Sequence, residues 1–230
     1  MEKTEGMFHT DKSRVEKIKK TILCFGDSNT HGYRSKDCGR FGEEERWTCL
    51  LGKALGDGYR VIEEGLNGRT TVFDDPMEEG LNGLPYLYPC LKTHKPLDLL
   101  IIMLGTNDTK ERFHVEAEEI GRGMECLIRK AFEAEEVWRK QPQILIMAPP
   151  PIGKAYDTTY VAEEMGRGCV EKSEKLAEVY AKLAKTWNCR FLDTGSVSGI
   201  SMWPYDYMHL SPESHRILAE TLAEQIRAWL

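Results

Sequence analysis

The chain has 230 residues, 41% of them hydrophobic, enough for one larger α/β domain with a full buried core. Its 37 acidic residues outnumber 31 basic ones, and the net charge of −6 argues against a surface built for nucleic acid or anionic membrane. No apolar stretch approaches a transmembrane helix in length, residues 1–20 lack the hydrophobic centre of a signal peptide, and seven scattered cysteines contain no Cys-x-x-Cys pair.

That cysteine usage argues against a disulfide framework and against structural zinc, and it fits a reducing cytoplasm. Residues 1–19 read as a charged extension, with a short helix carried by Val15 and Ile18, ahead of a single domain over 20–230. The first strand is Thr21-Ile22-Leu23-Cys24-Phe25. It runs into Gly26-Asp27-Ser28-Asn29-Thr30-His31-Gly32, where two glycines bracket a sharp turn with Ser28 at its crest. Trp47, Leu50, Leu51, Ala54 and Leu55 stand at helical spacing within residues 43–55. A second strand, Tyr59 to Glu63, feeds the loop Gly65-Leu66-Asn67-Gly68-Arg69-Thr70. A long connection then includes a helix near 84–92.

The strand Leu97 to Leu104 is nearly all apolar, as a parallel strand covered on both faces should be. It stops at Gly105-Thr106-Asn107-Asp108. The following helix carries Ile120, Met124, Leu127, Ile128, Ala131 and Trp138 along one face. Gln143 to Ala148 is a fourth strand, ended by Pro149-Pro150-Pro151. A helix over 164–187, a short strand from Cys189 to Leu192, a loop from Asp193 to Leu210 and a last helix complete the chain. Ser211 is that helix's N-cap and Pro212 its first residue.

Strands alternating with helices predict a parallel sheet covered on both sides, with every strand's C-terminal end on one edge. Open α/β sheets carry their sites on that edge. Ser28 follows strand one, Gly68 strand two, Asn107 strand three, and Asp206-Tyr207-Met208-His209 strand five. A hydroxyl, a free backbone N–H, a carboxamide and an Asp/His pair therefore converge. By itself each admits a plainer role: Asp-Ser-Asn is ordinary cap chemistry, Asn107 suits a turn, and Asp206 and His209 could cap the final helix. Asp27 reads as a structural residue of the turn and His31 as a pocket-wall or packing residue, the rival base to His209. His9, His94, His114 and His215 read as solvated.

Gly26-Asp27-Ser28, the glycine of Asn67-Gly68, Gly105-Thr106-Asn107-Asp108 and Asp206-x-x-His209 resemble, in order, the four blocks of the SGNH (GDSL) hydrolases. Within that family, residues 26–32 and 65–71 look most like the bacterial arylesterase/acyltransferase branch, although Tyr33 stands where that branch often has a tryptophan at the acyl entrance. The resemblance implies a flavodoxin-like α/β/α sandwich with a five-stranded parallel sheet of order 2-1-3-4-5. It also implies no metal, no cofactor, a homo-oligomer, and hydrolysis or transfer of small acyl groups.

The chemistry assigns roles accordingly. Ser28 is the nucleophile, His209 the base and later the acid, and Asp206 fixes the imidazole tautomer. The Ser28 and Gly68 N–H groups and the Asn107 amide are the oxyanion donors. Tyr33, Arg34, Phe113, Ile152 and Trp203 are candidates for the substrate pocket. The expected partner is a small-molecule ester, without nucleic acid or membrane. Carbohydrate O-deacetylation is the alternative within this chemistry, with lysophospholipase or thioesterase activity behind it. A non-catalytic flavodoxin-like binding module is the rival of another class, but it leaves Asp206 and His209 without a task.

Overall fold

The computed structural model describes residues 18–230, so the expected helix through Val15 and nearly all of the charged extension lie outside the described residues. Five parallel strands form the main sheet: β1 (Lys20–Gly26), β4 (Tyr59–Gly65), β5 (Leu99–Met103), β6 (Ile144–Ala148) and β7 (Arg190–Asp193). Two-residue strands β2 (Tyr33–Arg34) and β3 (Gly39–Arg40) pair as an antiparallel ribbon beyond the first turn. The sheet order is β4-β1-β5-β6-β7. Counting only main-sheet strands along the chain, that is the expected 2-1-3-4-5.

Side-chain alternation along β1 and β5 builds both halves of the core. Leu23, Phe25, Leu100 and Ile102 face α3 (Gly83–His94), α4 (Ala117–Glu133) and α6 (Cys169–Thr186). Ile22, Cys24, Leu99, Ile101 and Met103 face α2 (Trp47–Leu55) and α7 (Pro212–Trp229). All five residues of β5 are buried, which explains the strand's unbroken apolar run. Truncating Ile102 to alanine there would cost about 2–5 kcal/mol. Among the described residues, no helix is long and apolar enough to cross a membrane.

Several boundaries differ from the sequence reading for local reasons. The helix expected over 164–187 is two: α5 (Ala162–Met165) stops at Gly166 and α6 starts after Gly168, both glycines having positive φ. Trp138 lies beyond α4, which ends at Glu133. It still reaches the core because its indole N–H donates to the Ala131 carbonyl at 3.0 Å. His215 and His94 are not solvated. His215 is 1% exposed within α7, and His94 is half-buried against Glu64.

Candidate active site

The first βα turn is tight because two backbones nearly touch. A Cβ on Gly65, at the end of β4, would lie 2.1 Å from the backbone nitrogen of His31. Short helix α1 (Ser28–His31) can therefore start immediately after β1, with Asp27 as its N-cap accepting from the Asn29 N–H at 2.9 Å. Ser28 is left at the sheet's C-terminal edge, 5% exposed.

The loop before α7 supplies its partners. His209 Nε2 lies 2.8 Å from Ser28 Oγ, and its Nδ1 lies 2.5 Å from Asp206 Oδ2. Asp206 Oδ1 also accepts from the backbone N–H groups of Met208 and His209, each at 3.1 Å. The carboxylate thus folds its own loop and orients the imidazole. Burial alone would raise the Asp206 pKa, but the hydrogen bond and charge of His209, with the two backbone donors, hold it below the ordinary carboxylate value. With the Nδ1 proton held on His209 and donated to the Asp206 carboxylate, Nε2 is free to accept from Ser28.

Ser28, Gly68 and Asn107 bring two backbone N–H groups and one side-chain amide to the cavity that His209 also lines. Gly68 has φ of +79°, the left-handed region that favours glycine, and its N–H has no acceptor among the described residues. The Ser28 N–H is likewise without one. Asn107 Nδ2 donates one hydrogen to the Arg69 carbonyl at 3.1 Å, which aims the amide and leaves its second hydrogen available. Ser28, Gly68, Asn107 and His209 all line one cavity of about 190 Å³.

This geometry matches a known family across most of the chain. A sequence model of the GDSL-like Lipase/Acylhydrolase family matches residues 24–217. The chain belongs to that family. Among solved structures similar to this GDSL hydrolase is Est24, a carbohydrate acetylesterase from Sinorhizobium meliloti, 40% identical with a TM-score of 0.85, the match covering 92% of this chain and 100% of that one. An aryl esterase of M. smegmatis is 40% identical with a TM-score of 0.82 over the same shares. A putative arylesterase from Agrobacterium tumefaciens str. C58 is 37% identical with a TM-score of 0.81, again over 92% and 100%. No curated protein matches the chain. The GDSL hydrolase is a serine-type carboxylic ester hydrolase.

Of the five residues expected to line the substrate pocket, the cavity receives only Tyr33, whose ring packs on His209 with centroids 4.6 Å apart. Arg34 turns away to pair with Asp37 at 2.8 Å. Phe113 packs on Phe73, Trp203 stacks on Phe41, and Ile152 is buried in a separate apolar cluster with Tyr156 and Met165. His31 does not line the cavity, and the partner of Ser28 is His209.

Other residues of the GDSL hydrolase site were given no role by the sequence: Asn29 and Asp108 stand inside the quoted motifs, and Tyr160 stands in no motif. Tyr160, just before α5, donates to Asp206 Oδ2 at 3.0 Å and lies 3.3 Å from the Tyr33 hydroxyl. Asn29 ties the nucleophile turn to the histidine loop: its Nδ2 donates to the Met208 carbonyl at 3.2 Å and its Oδ1 accepts from Leu210 N–H at 2.9 Å. Asp108 does the same for the loops of Gly68 and Asn107, with Oδ1 accepting from the Thr71 N–H at 2.9 Å and from the Thr71 hydroxyl. Burial pushes the Asp27 and Asp108 carboxyls each up to about 6. Each also has an Oδ2 without a partner among the described residues.

Proposed function

We propose that this esterase cleaves short-chain acyl esters through an acyl-Ser28 intermediate, and the observation that carries the reading is the continuous Ser28–His209–Asp206 hydrogen-bond chain. His209 takes the Ser28 proton as Oγ attacks the ester carbonyl, while Asp206 stabilises the imidazolium that forms. The Ser28 and Gly68 N–H groups and the Asn107 amide receive the oxyanion. His209 then protonates the departing alcohol, and a water or acceptor alcohol repeats the sequence on the acyl-enzyme.

The size of the chamber supports a short acyl group. Its volume is about 190 Å³, with Tyr33 and Tyr160 among its walls. Its lining overlaps at Glu78, Tyr160 and Glu164 with that of a wider cleft of about 770 Å³, which adds Glu111 and Glu163, and Asp75 with its ion-pair partners Lys110 and Arg112. Charged side chains of both signs can exchange hydrogen bonds with hydroxyl groups, so this polar cleft favours a second reading in which the leaving alcohol is a sugar, as in a carbohydrate O-acetylesterase. Seven free cysteines support a reducing compartment, and the resemblance to the arylesterase branch supports a homo-oligomer.

The reading is tested in two steps. A fluorophosphonate should label Ser28, located by mass spectrometry; an adduct elsewhere refutes the acyl-enzyme assignment. Next, p-nitrophenyl esters from acetate to octanoate are compared with acetylated xylo-oligosaccharides. A kcat/KM at least about tenfold higher for acetate than for octanoate is expected, because a chain longer than the chamber must displace its walls to bring the ester carbonyl to Ser28. Rates rising with chain length would overturn the short-chain reading.

A further inference from the structure

Outside the residues that line the Ser28 cavity, three metal-ligating side chains of different types converge. Tyr86, Cys90 and His94 recur every fourth residue along α3 and so share one face of that helix. The face packs against the end of β4, where Glu64 stands one residue before the Gly65–Thr71 loop. His94 Nε2 lies 2.7 Å from Glu64 Oε1, and the Tyr86 hydroxyl donates to Glu64 Oε2 at 3.0 Å. One ligand atom from each of Glu64, Cys90 and His94 falls within 4.8 Å of the others.

We propose that Glu64, Cys90 and His94 form a binding site for a soft divalent cation of the zinc class. A tetrahedral zinc ion with ordinary bond lengths needs its ligand atoms roughly 3.2–3.7 Å apart. The observed cluster requires the His94–Glu64 pair to open by less than about 1 Å and the thiol to close in by a similar amount. Thiolate and imidazole together select zinc-like ions over magnesium or calcium, which take oxygen ligands. Access is also provided for. Cys90 is buried at the base, while the Glu64 and His94 side chains are 18% and 19% exposed at the mouth.

Charge balances as well. A divalent ion with one carboxylate, one thiolate and a neutral imidazole sums to zero, and the thiol proton leaves to solvent on binding. Burial and then the Glu64 carboxylate push the Cys90 thiol up to about 12, against a smaller lowering by the Arg69 guanidinium, so the ion itself must displace the thiol proton. The fourth position falls to water. Such an ion would fasten α3 to the root of the loop bearing Gly68 and touches none of the groups assigned to ester cleavage. A search for Cys-x-x-Cys spacing misses the site because its ligands are split between a helix and a strand end.

The test uses Co²⁺ as a spectroscopic probe on the full-length, metal-stripped protein. One equivalent of Co²⁺ should produce a thiolate-to-cobalt charge-transfer band in the near ultraviolet, together with the visible bands of tetrahedral cobalt. Zn²⁺ should displace it and raise the Tm. The band should vanish in Cys90→Ser, be strongly reduced in His94→Gln, and persist in Cys38→Ser, which removes an exposed thiol. Circular dichroism and p-nitrophenyl acetate hydrolysis report whether each variant is folded. If Cys90→Ser does not fold, His94→Gln and Glu64→Gln decide the question. Absence of the band in the wild-type chain overturns the proposal. So does a band of equal strength in Cys90→Ser, or in both His94→Gln and Glu64→Gln.

Discussion

Replacing Asp108 by asparagine should change stability in a way that depends on pH. The carboxyl is fully buried, burial lifts its pKa from 3.8 to about 6, and only Oδ1 has partners, both on Thr71. A carboxyl whose folded pKa is raised binds its proton more tightly in the folded state. It is least costly below the unfolded value and weighs against folding as pH rises through 4 to 6. A shift of that size corresponds to about 3 kcal/mol, reached in full above the folded pKa. Asparagine keeps the acceptor for Thr71 and removes the titration, but its amide N–H₂ lacks an acceptor, a pH-independent cost of about 1–3 kcal/mol. The absolute stability of the variant thus reflects two opposing terms, whereas the change of the difference with pH isolates one. Between about pH 4.5 and 7.5, urea denaturation should show Asp108→Asn gaining about 2 kcal/mol on the wild type. Loss of the Asp108 charge also relaxes the raised pKa of Asp27, which adds in the same direction. Equal stability differences at the two pH values would refute the argument and mean that the Asp108 carboxyl binds its proton no more tightly in the folded than in the unfolded chain.

Asn107→Ala should lower kcat by roughly 10²–10³ with KM nearly unchanged, since an oxyanion donor acts mainly in the transition state. A raised KM at intact kcat would make Asn107 a ground-state contact. Tyr160→Phe removes a donor from Asp206 Oδ2 on an exposed loop and should reduce kcat/KM by about three- to thirtyfold with little change in Tm; an unaltered rate would make the hydroxyl a bystander. His215 accepts from the Trp47 N–H, and burial, with the charge of His209 second, pushes its pKa down to about 3. A histidine so depressed stays neutral in the fold, so its contribution is present above about 6.5 and lost as pH falls, by about 2 kcal/mol at pH 5. His215→Asn, whose Oδ1 can replace Nδ1 as acceptor, should flatten that acid slope in chemical denaturation, and an unchanged slope would contradict the assignment.

The parts of the site that could be read from residues alone are those fixed by topology. Parallel β1, β4 and β5 must end on one edge, so Ser28, Gly68 and Asn107 were placed there by their position after each strand. Asp206 and His209 join them through a hydrogen bond spanning only three residues. The acyl pocket was not legible in the same way. Tyr33, Arg34, Phe113, Ile152 and Trp203 all lie in connections on the correct edge, but only Tyr33 lines the cavity, because loop direction depends on contacts that have no sequence period. Arg34 follows Asp37, Trp203 follows Phe41, and Ile152 joins a cluster built by the chain around α5 and the start of α6. Tyr160 and Glu164 reach the cavity because Gly166 and Gly168 break what hydrophobic spacing presents as a single helix.

Two polar side chains hold the site together across long stretches of chain, and they do so at different energetic cost. Asn29 joins the nucleophile turn to a loop about 180 residues later with two hydrogen bonds, while the Trp47 indole fixes its own carbonyl at 3.0 Å. A neutral amide with both ends satisfied carries little penalty when buried. Asp108 joins the two loops that present Gly68 and Asn107, but as a charge with one oxygen unpartnered it weighs against folding at neutral pH. The gain must therefore lie elsewhere. An ionised carboxylate accepts the Thr71 N–H and hydroxyl more strongly than a neutral carboxamide does. It thereby ties the loop of Gly68 to the turn of Asn107, and for the oxyanion site proposed above, donors fixed in advance need no reorganisation during reaction. Stability lost at Asp108 is the expected companion of that rigidity, as it is for other groups that position a reaction centre.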